Sequence, residues 1–373
     1  MDKVRLGIIG LGKMGSSYMK IAAGGNVADM ELTAVADVLP DKRAQAVDLL
    51  GSKFPVFTSH TELFNSGLVD AVFIVVPHYH HTALTIEAFN AGLHVLCDKP
   101  AGVWTKQVRE MNDAAAKSGK VFALMFNQRT TPSYRKMREL VSEGSMGSLI
   151  RANWVITDWL RNEQYYQQGG WRGTWDGEGG GVLINQCPHQ LDLLQWICGM
   201  PQRVRAFCHN GKWHNIEVED DVTAYFEFPG GATGTFIAGT GEYPGANRFE
   251  LSLDGGKIIN EGGKDLTLFR LNRSLSEVIP ITTEYIKHID YTTEKPEIDS
   301  VDPEHAGVLR AFAGRILRNE TLVAEGYEGI NSLLLSNAMY LSSWLDTTIE
   351  IPFDEDLFLA ELNKRRKGVM HGI

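Results

Sequence analysis

Residues 4–15 read Val-Arg-Leu-Gly-Ile-Ile-Gly-Leu-Gly-Lys-Met-Gly, an apolar run that stops on a glycine and then spaces two more. Residues 4–9 have the composition of a strand buried on both faces. Beyond the glycines, Met14, Tyr18, Ile21 and Ala22 fall on one stripe of a helix. Strand, G-x-G-x-x-G, helix is the context in which that glycine pattern binds a dinucleotide. Gly10 permits the tight turn, Gly12 lets a pyrophosphate reach the backbone, and Gly15 lets the helix pack against the strand. The helix N-terminus, with Lys13 and Met14 in its first turn, faces the phosphates. A second apolar strand, 31–36, ends on Asp37, somewhat further from the first glycine than the usual interval of about 20 residues. An acid there accepts from ribose hydroxyls and repels a 2′-phosphate. Lys42 and Arg43 fall inside the next helix and away from Asp37, which favours NAD over NADP.

Working outward, the apolar strands continue at 70–76, 93–97 and 121–126, with helical patterns at 41–50, 82–91 and 104–117 between them. Continuous apolar strands alternating with amphipathic helices indicate a parallel sheet covered on both faces. The rhythm changes after residue 126. Strand-like segments now follow one another at 149–157, 203–209, 221–228, 233–239, 248–254 and 266–271, with helices at 182–198, 303–318 and 327–345. The expected fold is therefore α/β. A Rossmann domain with a doubly wound parallel sheet spans 1–126, and an α+β domain with a large, mostly antiparallel open sheet spans 127–373. In the strand at 221–228, Val222, Ala224, Phe226 and Phe228 share one face, and Thr223, Tyr225 and Glu227 share the other.

Bulk properties narrow the function. The 373 residues carry 36 Lys plus Arg against 46 Asp plus Glu, a net charge of −10. That balance argues against nucleic acid and anionic membrane as partners. No apolar run is long enough to span a bilayer, and the apolar stretch near the N-terminus is too short for a signal peptide. Cys97, Cys187, Cys198 and Cys208 match no zinc spacing and are too few for a disulfide framework, so a reduced cytoplasm is expected. His78, His80 and His81 lack a clear fourth ligand, so they read as cofactor contacts or solvated side chains and no metal is expected.

One more stretch asks for explanation. Leu96-Cys97-Asp98-Lys99-Pro100 ends a buried strand on an acid and a lysine, with a proline that holds Lys99 extended. In five places, this one included, the chain resembles the Gfo/Idh/MocA oxidoreductase family. Asp98-Lys99-Pro100 resembles its E-K-P motif. Pro77-His78-Tyr79-His80-His81 resembles P-N-x-x-H, with His78 for Asn, and Asn127-Gln128-Arg129 resembles N-x-R. Trp171-Arg172 resembles the W-R pair that approaches the cofactor. Gly179 through Asn185 to His189 and Asp192 resembles G-G-G-x-x-x-D-x-x-x-H-x-x-D.

The resemblance implies an NAD-dependent dehydrogenase acting on a secondary hydroxyl of a sugar, glycoside or cyclitol, as a homodimer or homotetramer. It implies that Lys99 stabilises the alkoxide and that the Lys99–Pro100 bond is cis. Cofactor contacts carried over are Gly10, Gly12, Lys13, Met14, Asp37, Pro77, His78, His81, Asp98, Lys99, Gln128, Trp171 and Arg172. The family's Asp is Asn185 here, and an amide takes no proton. His189, four residues on along one expected helix, therefore inherits the general-base role, with Asp192 placed to hold its ring. Asn185, Arg172, Trp171 and Tyr165 are expected to bind substrate. Among Trp154, Trp159, Trp171 and Trp175, some belong to the core and one or two could stack on a sugar. Two rival functions use the same parts: a redox glycosidase that oxidises, eliminates an aglycone and returns the hydride, and a non-catalytic sugar or dinucleotide sensor.

Overall fold

The structure is a computed structural model and describes residues 2–281, 285, 288–299 and 301–368. The chain opens with β1 (Val4–Ile9), α1 (Lys13–Ala23), β2 (Met30–Ala36), α2 (Pro40–Leu50), β3 (Val56–Phe57) and α3 (His60–Asn65). It continues with β4 (Ala71–Ile74), α4 (His81–Asn90), β5 (His94–Cys97), α5 (Thr105–Ser118), β6 (Phe122–Leu124) and α6 (Pro132–Ser142). Then come β7 (Leu149–Ile156), α7 (Glu163–Gln167), α8 (Val182–Asn185), α9 (Pro188–Cys198), β8 (Arg203–Asn210) and β9 (Glu219–Glu227). The next elements are β10 (Thr233–Gly239), β11 (Asn247–Leu253), β12 (Gly256–Glu261), β13 (Asp265–Leu271), α10 (Leu275–Val278) and β14 (Tyr291–Glu294). Last are α11 (Glu304–Arg318), α12 (Gly329–Leu345), β15 (Ile349–Glu350) and α13 (Glu355–Gly368).

Two compact units result. The first comprises residues 1–130, 177–179 and 303–333, and the second 131–176, 180–302 and 334–373. A single cut after residue 126 misses the return of 303–333. The reason is packing. Val308, Leu309, Phe312 and Ala313 make one apolar stripe of α11, and that stripe joins the core formed by Val4, Leu6, Ile8, Tyr18, Val35 and Phe73. Amphipathicity shows that a helix has a core to face but does not say which core.

In the first unit the six strands are parallel, in the order β3-β2-β1-β4-β5-β6. That is the doubly wound order, with its switch point between β1 and β4. The central strands are sealed on both faces: Leu6, Ile8, Phe73, Ile74, Val95 and Leu96 are all fully buried.

In the second unit nine strands run in the order β14-β13-β12-β11-β7-β10-β9-β8-β15. The β7–β10 pair is parallel and the other pairs are antiparallel. Trp154 on β7 anchors the buried face, stacked on Phe249 of β11 at a centroid distance of 4.2 Å with 8° between planes. The alternation on β9 holds: Val222, Ala224 and Phe226 are buried, and Thr223 and Tyr225 are exposed. β9 begins earlier than its apolar pattern indicates, at Glu219, whose side chain is fully buried with that of Asp220. The single helix expected over 182–198 is two. Pro188 has no N–H to give Ile184, and the chain steps from α8 to α9 through a wider turn in which Cys187 N donates to Val182 O at 2.8 Å.

Candidate active site

In the first unit, the loop after β1 is shaped by close approaches. Gly10 has φ +90°, and a Cβ there would lie 2.2 Å from the Val75 carbonyl oxygen; one on Gly15 would lie 1.8 Å from the Gly10 carbonyl oxygen. A Cβ on Gly12 would meet nothing within 4 Å. Two glycines thus close the turn, and the third leaves open space before α1. The N-terminus of α1 has no side-chain cap and no acid in its first turn. Its donors and open dipole end fit a pyrophosphate. Lys13 and Met14 are exposed beside it.

Asp37 does more than the ribose role expected of it. Its Oδ2 accepts from Leu11 N at 2.6 Å and its Oδ1 from Leu39 N at 2.8 Å, so one carboxylate ties the glycine loop to the end of β2. Arg43 corrects an expectation. It is not remote from Asp37, because its Nη1 donates to the Asp37 and Val38 carbonyls at 2.8 and 2.9 Å. A helix position six residues on reaches back to the strand end because the guanidinium sits on a long stem.

The segment after β5 is braced from within. Lys99 is half-buried and the Lys99–Pro100 bond is cis, as expected. Asp98 turns inward instead of facing a cofactor: it is 7% exposed, and its Oδ1 accepts from Lys99 N at 2.9 Å and from Tyr18 Oη at 3.4 Å. Burial pushes its carboxyl above the ordinary value, opposed by the nearby Lys99 and His81 charges. His81, also expected at the cofactor, is 1% exposed and works as a strut. Nδ1 lies 2.6 Å from the Pro100 carbonyl and Nε2 2.7 Å from that of Val76. His78 is buried with Nδ1 2.9 Å from the Glu178 carbonyl, while Pro77 and Gln128 are half-buried, Pro77 in the loop after β4 and Gln128 in a short 3-10 turn after β6. Arg129, next to Gln128, is buried in an ion pair with Glu328 at 2.6 Å.

In the second unit, one buried acid organises the helix pair that carries Asn185 and His189. Glu219 Oε2 accepts from Gly181 N at 2.9 Å, and Oε1 accepts from Leu183 N at 2.8 Å and Tyr340 Oη at 2.7 Å. The glycines answer to the same contact. A Cβ on Gly180 would lie 2.1 Å from Tyr340 Oη, and one on Gly181 would lie 1.9 Å from the Glu219 carbonyl oxygen. Burial raises the Glu219 carboxyl to about 7, although hydrogen bonds from Leu183, Tyr340, its own backbone and Gly181 pull it down. Sequence reasoning missed Glu219 and Tyr340. The available signal was three acids, Glu219-Asp220-Asp221, opening a strand whose alternation continues cleanly behind them.

From Gly181 to Gln195 every residue is buried except Asn185, Gln186 and His189, which are half-buried. The two expected residues therefore both keep partial exposure, on two helices instead of one. Asp192 is buried and accepts from Gln195 Nε2 at 3.1 Å. Tyr165 follows the Asn162 cap of α7, and its hydroxyl accepts from Arg172 Nη1 at 2.9 Å and Gln186 Nε2 at 3.0 Å. Trp171 lies under the Arg172 guanidinium at 4.5 Å. Trp154 and Trp175 are core residues, and Trp159 and Trp171 are half-buried.

Comparison with known proteins agrees with both units. Residues 4–126 match the family model described as "Oxidoreductase family, NAD-binding Rossmann fold", and residues 134–259 match the GFO/IDH/MocA C-terminal domain. D-glucoside 3-dehydrogenase of Escherichia coli K12 is 26% identical over 87% of this chain and 91% of its own length. 1,5-anhydro-D-fructose reductase of Ensifer adhaerens is 27% identical over 79% and 83%. The match to the rhizopine catabolism protein MocA of Rhizobium meliloti, 26% identical, spans 53% of this chain and 58% of that protein. Among solved structures, the WlbA dehydrogenase of Chromobacterium violaceum, in complex with NADH and UDP-GlcNAcA, superposes with a TM-score of 0.80 at 25% identity, covering 95% of this chain and 97% of that one. Levoglucosan dehydrogenase in complex with NADH and levoglucosan gives 0.77 at 19%, covering 94% and 100%, a likeness of fold.

Two predictions follow from these contacts. Gly12→Ala should fold with wild-type stability yet lose NAD binding in a fluorescence titration, whereas Gly15→Ala should fail to fold because the Gly10 carbonyl has nowhere to move. A Gly12→Ala protein with unchanged affinity would count against the loop as the pyrophosphate site.

For Glu219 the sign is set by a folded value raised above the ordinary 4.5 to about 7. The stability its proton contributes is complete below pH 4.5 and lost as pH rises through 7. In urea unfolding, wild type should lose stability relative to Glu219→Gln across that window. Parallel curves would show that Glu219 is ionised throughout.

Proposed function

The chain belongs to the GFO/IDH/MocA family of NAD-binding oxidoreductases, and on that premise we propose that it oxidises a secondary hydroxyl of a sugar, glycoside or cyclitol. The observation that carries this reading is the half-burial of Asn185, Gln186 and His189 on an otherwise sealed run, which leaves an imidazole and two amides partly exposed. The D-glucoside 3-dehydrogenase relative, alignable over most of both chains, supports the substrate class.

Oxidising a carbinol requires that the O–H proton leave as hydride departs from carbon. His189 in its neutral form takes that proton, since imidazole titrates where such a base is useful. The Lys99 ammonium donates to the developing alkoxide and, in the reverse direction, polarises the ketone. Asn185 holds a substrate hydroxyl and orients it; its amide donates and accepts without exchanging a proton in the reaction. Bound NAD supplies the hydride acceptor. Gly10, Gly12, Lys13 and Met14 would hold its phosphates and Asp37 its ribose, with Pro77, His78, Gln128, Trp171 and Arg172 as further contacts. His81 and Asp98 act behind them, holding the segment that presents Lys99.

The decisive experiment is NADH formation on a panel of monosaccharides, inositols and aryl glycosides. His189→Ala and Lys99→Met should each lower kcat by about 10²–10⁴-fold with NAD affinity retained. Asn185→Ala should raise KM more than it lowers kcat. Asn185→Asp adds a negative charge beside the imidazole and should move the acid limb of the pH–rate profile upward. Near-normal turnover in His189→Ala would end this mechanism.

The same reading extends to assembly as a homodimer or homotetramer. On the outward face of the second sheet, Phe207 of β8 and Tyr225 of β9 are 52% and 43% exposed, an aromatic and polar mixture that suits a subunit contact. Light scattering at micromolar protein should give a dimer or a larger species, and a monomer would refute the extension.

A further inference from the structure

The second unit gathers cations and donors where a neutral sugar would need a bare aromatic face. The Arg161 and Arg172 guanidinium carbons lie 4.8 and 4.7 Å from the centroid of the Tyr165 ring, and Tyr166 meets the same ring edge-on at 5.1 Å. The Tyr165 hydroxyl already accepts from Arg172 and Gln186, and among the described residues its own proton has no acceptor.

Arg161 is the informative member. Among the described residues no carboxylate pairs with it, and its Nε is sealed from solvent without an acceptor. Its backbone is nonetheless fixed at both ends. Its N–H donates to the Thr240 carbonyl at 2.9 Å, and its carbonyl lies 3.1 Å from His214 Nε2. The acid beneath it is spent. Asp220 accepts from the backbone N–H groups of Lys212, Trp213 and His214 at 2.9, 2.9 and 3.0 Å, and pairs with His214 Nδ1 at 2.9 Å. Arg161 and Arg172 place two guanidinium groups on one ring. A partly buried cation on a rigid backbone is also how carboxylate and phosphate are recognised. Through Gln186 the cluster is bonded to the residue next to Asn185.

We propose that the substrate carries an anionic group, a carboxylate or a phosphate, that docks on Arg161, Arg172 and the Tyr165 hydroxyl. This rests on the dehydrogenase reading and narrows its substrate class to acidic carbohydrates.

The test is calorimetric titration of the full-length protein, with NAD present, against glucose, glucuronate and glucose 6-phosphate. At least one anionic sugar should bind about tenfold more tightly than glucose, and the better of the two identifies carboxylate or phosphate. The preference should shrink as NaCl rises from about 0.05 to 0.5 M. It should fall to within about twofold in Arg161→Gln and survive in part in Arg161→Lys. Equal affinities, no binding of either anion, or a preference that Arg161→Gln leaves intact would overturn the proposal. If Arg161→Gln does not fold, a salt-independent preference in wild type overturns it equally. NADH formation is followed in parallel. Anion preference without turnover on any sugar would sink the dehydrogenase reading and leave this site standing.

Discussion

A carboxylate with no access to water fixes the part of the second unit on which the chemistry depends. Glu219 stands at the first residue of β9 and closes on Gly181, Leu183 and Tyr340. Burying an acid is costly unless its lone pairs are filled, and here the start of α8 fills them. The orphan N–H groups of a helix start are satisfied by the same contact. Because α8 spans only Val182–Asn185, fixing its first turn fixes Asn185 as well, and the Pro188 break then sets α9 and His189. The Gly180-Gly181 pair follows from this. Tyr340 and Glu219 come so close to Gly180 and Gly181 that no side chain fits.

This explains what the sequence could and could not disclose. The glycine loop was legible because its three glycines do separate jobs that leave separate marks: two close approaches and one open space. The long strands were legible from apolar runs. β3 and β15, with two residues each, carry too little pattern to register, and β12 is joined to β11 by a turn too short to separate them by eye. Glu219 stayed hidden because acids at the start of a strand normally read as a solvated end. The destination of α11 stayed hidden because Leu309 and Phe312 would suit either core. The broken helix was signalled by Pro188, and Asn185 and His189, one on each side of the break, are both half-buried.

In the first unit a related economy braces the backbone around Lys99. His81 has a carbonyl oxygen at each ring nitrogen, one from the end of β4 and one from Pro100. Burial pulls its pKa down; the two carbonyl acceptors and the Asp98 carboxylate pull it up. Together with Asp98, whose carboxylate takes the Lys99 backbone N–H, the ring fixes backbone on both sides of Lys99. A flexible four-carbon side chain then starts from a rigid base, which limits the space its ammonium searches. Asp37 acts likewise, joining the glycine loop to the end of β2 before any ribose arrives.

These arrangements share a rule about sign. The chain is acidic overall, with a net charge of −10, yet the acids built into these elements face inward and spend their oxygens on backbone N–H groups. Glu219 and Asp220 are fully buried and Asp98 nearly so. Lys99 on one unit, and Arg161, Arg172, Asn185, Gln186 and His189 on the other, stay half-buried, alongside partly exposed acids such as Asp37 and Asp221. Net charge therefore misdescribes the local field, because an acid saturated by donors contributes little attraction to an outside cation, while a half-buried guanidinium keeps its reach. An acidic protein can in this way present a locally basic surface to an anionic ligand while remaining repulsive to polyanions at large.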